Sequence, residues 1–246
     1  MITPIPAAPF QSRPPNAFWE RSREVICASL LALVISSLHA ADFQARTLSP
    51  EVGHPRVGDV DGDGHNDVVL HVHRDEVNIK DQTRQTGLVW FQWPDFRRRT
   101  IHSGPVCGDR FALADLDGDG RVDVVSGMET GKKQYAISWF QNPGNSAAAS
   151  ETAWAEHRIG DFSGWIKDLW TGDMDRDGWL DIIAGNGEEF VGWWKNPGNG
   201  QPHWQRFIVG HTQPHPADRI KARDLDGDGD LDLVSIAYFG FKDLHV

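Results

Sequence analysis

The stretch "DVDGDGHND", residues 59–67, sets four aspartates and an asparagine into nine positions and carries no positive charge at neutral pH. The same spacing returns as "DLDGDGRVD" at 115–123, "DMDRDGWLD" at 173–181 and "DLDGDGDLD" at 224–232, with starts 56, 58 and 51 residues apart. Self-similarity at such a period marks a repeat architecture. Each copy is D-x-D-x-D-G-x-x-D, with carboxylates at loop positions 1, 3, 5 and 9 and a glycine at 6 for the sharp turn. A chain folds this way around a hard cation that takes about 6 to 8 oxygen ligands, one of them the backbone carbonyl at position 7. Calcium is the expected ion, about four per chain. Magnesium demands a tighter octahedron, and zinc favours His and Cys, which are absent from these positions. The alternative is four solvated acidic turns, Asp-Gly being common in hairpins; the matching offsets in all four copies speak against it.

An EF-hand opens the same way but needs a bidentate Glu at position 12 and a helix after it. Position 12 here is Leu70, Ser126, Ala184 and Ser235. The loops lead into "VVLHV", "VVSGM", "IIAGN" and "LVSIA", short β-branched runs that read as buried strands. An extended stretch precedes each loop ("HPRVG", "RFALA", "KDLWTG", "RIKAR"). In the first three copies an aromatic strand ("LVWFQW", "YAISWFQ", "FVGWWK"), a turn ("WPDF" or "NPGN") and a last strand follow. Four strands in 50 to 58 residues make the blade of an all-β propeller. Adjacent aromatics such as Trp90 and Phe91, or Trp193 and Trp194, would point to opposite faces of one strand and pack against both neighbouring blades.

Composition agrees with many short strands joined by turns: 39% hydrophobic residues, 25 glycines and 14 prolines in 246 residues. The net charge of −11 offers no basic face for nucleic acid. Four bound dications would bring it to about −3. Residues 1–40 read as an N-terminal segment with a secretory signal: Arg21 and Arg23 precede an apolar run from Val25 to Leu38, and Ala40 and Ala41 suit cleavage. That run spans 14 residues, short of the ~20 that cross a bilayer as a helix, so no stable membrane insertion of the mature chain is expected. The location implied is secreted, periplasmic or cell-surface. Cys27 falls in the signal, which leaves Cys107 alone and metal rather than disulfide to brace the loops.

With the loops in phase between strands, and with "WFQNPG" and the W-x-x-H-x-I of Trp154 to Ile159, the region from about residue 42 to 246 resembles the FG-GAP or VCBS repeats of integrin α-subunit propellers and of many secreted bacterial proteins. The resemblance implies that each loop joins the innermost strand of a blade to the second, with calcium on one rim. The ligands it implies are Asp59, Asp61, Asp63 and Asp67; Asp115, Asp117, Asp119 and Asp123; Asp173, Asp175, Asp177 and Asp181; and Asp224, Asp226, Asp228 and Asp232. Arg176 replaces the position-4 glycine of the other copies, which is expected to set a cation beside the third ion and weaken it.

The expected domains are the segment 1–40 and a propeller over 41–246, with blades at about 53–103, 104–160, 161–211 and an incomplete 217–246. "DFQARTLSP" at 42–50 resembles the last strand of a blade that has no other strands. Family members commonly have about seven blades, so the chain is expected to be part of a larger propeller; closure with four blades is the alternative. A partial ring would leave Val68, Leu70, Trp90 and Phe91 on an open flank and "VSIAYFGF" at a sheet edge, and self-association is then expected.

No G-x-S-x-G, P-loop or H-E-x-x-H occurs. Polar residues five, three and one positions before the loops are expected to share one channel: His54, Arg56, Arg110, Asp168, Trp170, Arg219, Lys221 and Arg223. Their cations would draw an anion such as an acidic sugar, or would pair with aspartates of neighbouring loops. The reading is a calcium-binding extracellular module for a protein or polysaccharide ligand, without catalysis of its own. The alternative is the propeller part of a carbohydrate-active lyase or dehydratase, since similar loops occur in rhamnogalacturonan lyases and the aldos-2-ulose dehydratase group. His71, His73, His211 and His215 could then serve a metal or act as a base, although no ligand triad is defined.

Overall fold

A computed structural model describes residues 48, 53–72, 86–144, 153–162, 164–186, 190–211, 217–237 and 244–245. The segment 1–40, the proposed lone strand at 42–50 apart from Leu48, and most of the chain after Ala237 lie outside the described residues. Among those described, every regular element is a β-strand. No helix there is long and apolar enough to cross a membrane.

The strands form successive antiparallel meanders. The first sheet is β1 (Gly53–Gly58), β2 (Asp67–Val72), β3 (Gly87–Gln92) and β4 (Arg97–Ser103). The second is β5 (Val106–Ala114), β6 (Asp123–Gly131), β7 (Gln134–Gln141) and β8 (Ala155–Phe162). The third is β9 (Ile166–Gly172), β10 (Asp181–Asn186), β11 (Phe190–Lys195) and β12 (Gln205–His211). The fourth has three described strands, β13 (Ala217–Arg223), β14 (Asp232–Ala237) and β15 (Leu244–His245). These are propeller blades, with each acidic loop joining the first strand to the second. The pairing of third and fourth strands slips at Leu88/Val89, Ile137/Ser138 and Val191/Gly192. One bulge thus recurs at one place in three blades, where an extra residue strengthens the twist of the outer edge.

Thr47–Val246 form one compact unit. First strands adjoin in chain order, β1 beside β5, β5 beside β9 and β9 beside β13. A separate core fills each step. Between the first and second blades lie Val69, Leu88, Trp90, Phe111, Val124 and Phe140; between the second and third lie Ile137, Trp139, Phe162, Ile166, Ile182 and Trp194; between the third and fourth lie Ile183, Val191 and Ile220. Strand alternation decides this sorting. Trp90 faces the second blade while Phe91 joins Leu70, Val72 and Val89 on the other face. Trp194 is buried toward the second blade while Trp193 stacks on Phe207, with centroids 4.6 Å apart.

The first blade's flank differs from the expectation. Leu70 and Phe91 are buried in a cluster against which Leu48, Val68 and Phe96 pack, and Trp90 belongs to the neighbouring interface. The sequence pattern could not show that Leu48, ahead of the blade, and Phe96, in its β3–β4 turn, pack on that face.

Candidate metal centres

Each loop is wound by its own aspartates before any ion is considered. The position-1 carboxylate caps the turn: Asp59 accepts from the backbone N–H groups of Gly62 (2.8 Å), Asp63 (3.1 Å) and Gly64 (2.9 Å), and Asp115 does the same from Gly118, Asp119 and Gly120. Asp173 and Asp224 repeat the bonds to positions 5 and 6, and 4 and 6, respectively. Positions 4 and 6 lie in the left-handed region, as at Gly118 (φ 74°) and Gly120 (φ 82°), which glycine enters without a Cβ clash. Arg176 (φ 62°) is the exception at position 4.

The position-9 carboxylate closes the loop from below. Asp67, Asp123 and Asp181 are fully buried and accept from the backbone N–H of position 2 (Val60, Leu116, Met174) and from that of Trp93, Asn142 and Asn196 just past the third strand. Burial pushes Asp123 up to about 7 despite those bonds, and Asp117 and Asp119 raise it further. Burial likewise raises Asp67 and Asp181. A cation beside each carboxylate would favour its charged form.

Carboxylate oxygens converge within 4.8 Å in all four loops: Asp59, Asp61 and Asp63; Asp115, Asp117 and Asp123; Asp173, Asp175 and Asp181; Asp224, Asp226 and Asp232. These four triads can hold metal ions, and their all-oxygen donor sets fit calcium loops. Among the described residues no such group contains a histidine. His71 is buried and stacks on Phe111; His73 and His215 lie outside the described residues.

A second layer, missed in the sequence, holds the loops in place. Gln92, last in β3, donates to Asp61 and accepts from Arg99 (Nε 2.9 Å); Gln141, last in β7, donates to Asp117, with His157 Nε2 3.3 Å from its carbonyl. At the same place in β11 stands Lys195, whose ammonium donates to Asp175 and lies 2.9 Å from Asp177 Oδ2. The pair holds the lysine above and the Asp177 carboxyl below their ordinary ranges. Arg176 does not sit beside the third triad as expected. Its guanidinium reaches across to the fourth loop, pairing with Asp230 and lying 4.0 Å from Asp228 Oδ1.

The next residue is an interblade staple. Asn142 Nδ2 donates to Val122 O of its own loop (2.9 Å) and to Val60 O of the preceding loop (2.7 Å); Asn196 repeats this with Leu180 O (3.0 Å) and Leu116 O (2.8 Å). The signal was present as the asparagine shared by "QNPGN" and "KNPGN", read only as part of a turn. Residues 115–184 and 173–235 match the model of the FG-GAP-like repeat. The chain carries FG-GAP-like repeats. Each matched FG-GAP-like segment runs from one acidic loop into the strand after the next, so loop, blade and following loop form its unit, and the first loop repeats the same geometry ahead of the matched region. No curated protein matches the chain.

The inner strands of the repeats enclose an open cavity of about 460 Å³, lined by Arg56, Arg110, Trp170 and Lys221 together with Phe111 and Leu169. Four residues expected to share a channel meet there. The guanidinium of Arg56 lies over the Phe111 ring (5.4 Å). Burial and the nearby Arg110 both lower its pKa, against the pull of Asp168. Asp168 itself is buried and accepts from the backbone N–H of Leu169 (3.1 Å) and Ile220 (2.8 Å), binding the third blade to the fourth. His54 pairs opposite His71 in the first sheet, and Arg219 and Arg223 lie on β13; none of the three lines the cavity. Residues of both strand faces line it, because a propeller turns the edges of its inner strands, not one face, toward the axis.

Proposed function

We propose that this chain is a calcium-braced extracellular binding module, without catalysis of its own, that takes an acidic group of a glycan or protein ligand in the cavity between its inner strands. The observation that carries this reading is the meeting of Arg56, Arg110 and Lys221 in one cavity of a protein with net charge −11. Like charges crowded in a partly dry cleft repel one another, and a bound anion relieves that repulsion while the low-dielectric walls focus the field toward it. The buried Nε of Arg110 has no hydrogen-bond partner among the described residues, so it is a donor to which an incoming acceptor costs no existing bond. Trp170 adds an aromatic surface beside the cations. Concave sites with a few convergent polar groups are where ligands are held. Calcium in the loops would fix the ends of the strands that carry these residues.

The test is binding of the full chain, in calcium, to polygalacturonate against a neutral polysaccharide of similar length. Arg110→Ala is expected to weaken binding to the acidic polymer about tenfold, roughly 1.4 kcal/mol. Raising salt should weaken it further. Equal binding to the neutral polymer, or no effect of Arg110→Ala and Lys221→Ala together, would exclude the cavity as the site.

A further inference from the structure

We infer that Lys195 is a built-in counterion for the third loop, so that the chain holds three calcium ions and leaves the loop at 173–181 to its own lysine. This rests on the calcium reading of the other loops and departs from it at one site. In the first two blades the last residue of the third strand is a glutamine, and its neutral amide orients the position-3 carboxylate without reducing the loop's negative charge. The third blade sets an ammonium at that same backbone place. It donates to Asp175, a member of the convergent triad, and bridges to Asp177 Oδ2 at 2.9 Å. One of the three triad carboxylates, Asp175, is already paired with an ammonium, and an ion entering beside it meets a like charge at contact range, where Coulomb repulsion is least screened.

The lysine's position is fixed by the strand, not by chance on the surface. Lys195 pairs with Gln205 in the sheet, follows the buried Trp194 and precedes the buried Asn196, whose N–H is held by Asp181 Oδ1 (2.7 Å). Its own side chain is about one-third exposed. The other cations near the loops do not play this part. Arg121 pairs with Asp119, outside the second triad, and donates Nε to Asn142 O (3.0 Å), and Arg176 leaves its own loop for Asp230 and Asp228 in the next, both outside the fourth triad.

Counting bound calcium by equilibrium dialysis of the full chain, stripped with chelator and then titrated, tests the assignment. Three ions are expected in the wild type and four in Lys195→Gln, which restores the residue of the first two blades. Asp175→Asn should leave the count at three, whereas Asp117→Asn should lower it to two. Four ions in the wild type, falling to three in Asp175→Asn, would overturn the inference while leaving the calcium reading intact. An unchanged count of three in a folded Lys195→Gln would also overturn it. If that variant does not fold, the wild type and Asp175→Asn decide alone. No bound ion in the wild type would overturn the calcium reading itself, and this inference with it.

Discussion

The sixteen loop aspartates look interchangeable in the sequence, yet their side chains do different work. In the first three loops position 1 winds the turn, position 3 faces the strand-end Gln or Lys, and position 9 is buried under two backbone N–H groups; in the fourth, Asp232 is half-buried and accepts from Leu225 N–H (2.9 Å). Spacing alone could not divide them, because it fixes which residues approach one another and not which oxygen turns inward. The division predicts unequal mutants. Asp117→Ala removes a member of the second triad and should cost one bound ion, with little loss of stability in chelator. Asp123→Ala leaves the N–H groups of Leu116 and Asn142 buried and unpaired, at about 1–3 kcal/mol each. Denaturant midpoints measured in chelator should therefore fall much further for Asp123→Ala than for Asp117→Ala. Equal midpoints would contradict the structural role given to position 9.

Strands were the most legible elements, since β-branched runs after each loop and paired aromatics in the third strand follow period-2 alternation without exception in the described blades. The recurrent bulge leaves no compositional mark, being a one-residue slip, and the repeated asparagine is visible in the sequence while its staple is not, because one of its two acceptors lies in another blade. Asn196 joins the carbonyls of Leu116 and Leu180, so it belongs to two loops at once. Asn196→Ala strands both acceptors and is expected to cost about 1–3 kcal/mol. It should also weaken calcium binding at the second loop, whose chain it holds from outside. Calorimetric titration showing an unchanged affinity there would limit the staple to fold stability.

At the scale of the whole chain, blades and their order were readable from the repeat, and the burial of Leu70 and Phe91 on the first blade's outer face was not, because it depends on contacts such as those of Leu48 and Phe96. A ligand bound only by the native state stabilises it by about 2.7 kcal/mol per site at a hundredfold excess over Kd, so chelation should lower the melting temperature and calcium should restore it better than magnesium. Cys107 supplies the measurement. It is fully buried, and burial pushes its thiol up to about 12, so a native chain in calcium should resist alkylation and a chelated chain near its midpoint should label rapidly. Equal labelling in both conditions would mean that the loops do not brace the blade interfaces. The two described asparagine staples both run from a blade back to the loop before it. Asn142 lies 82 residues beyond Val60, and Asn196 lies 80 beyond Leu116. On a ribosome adding about 5–20 residues per second, the first and second loops therefore wait roughly 4–16 s for their outer bonds, and each of these two nascent blades depends on a successor not yet made.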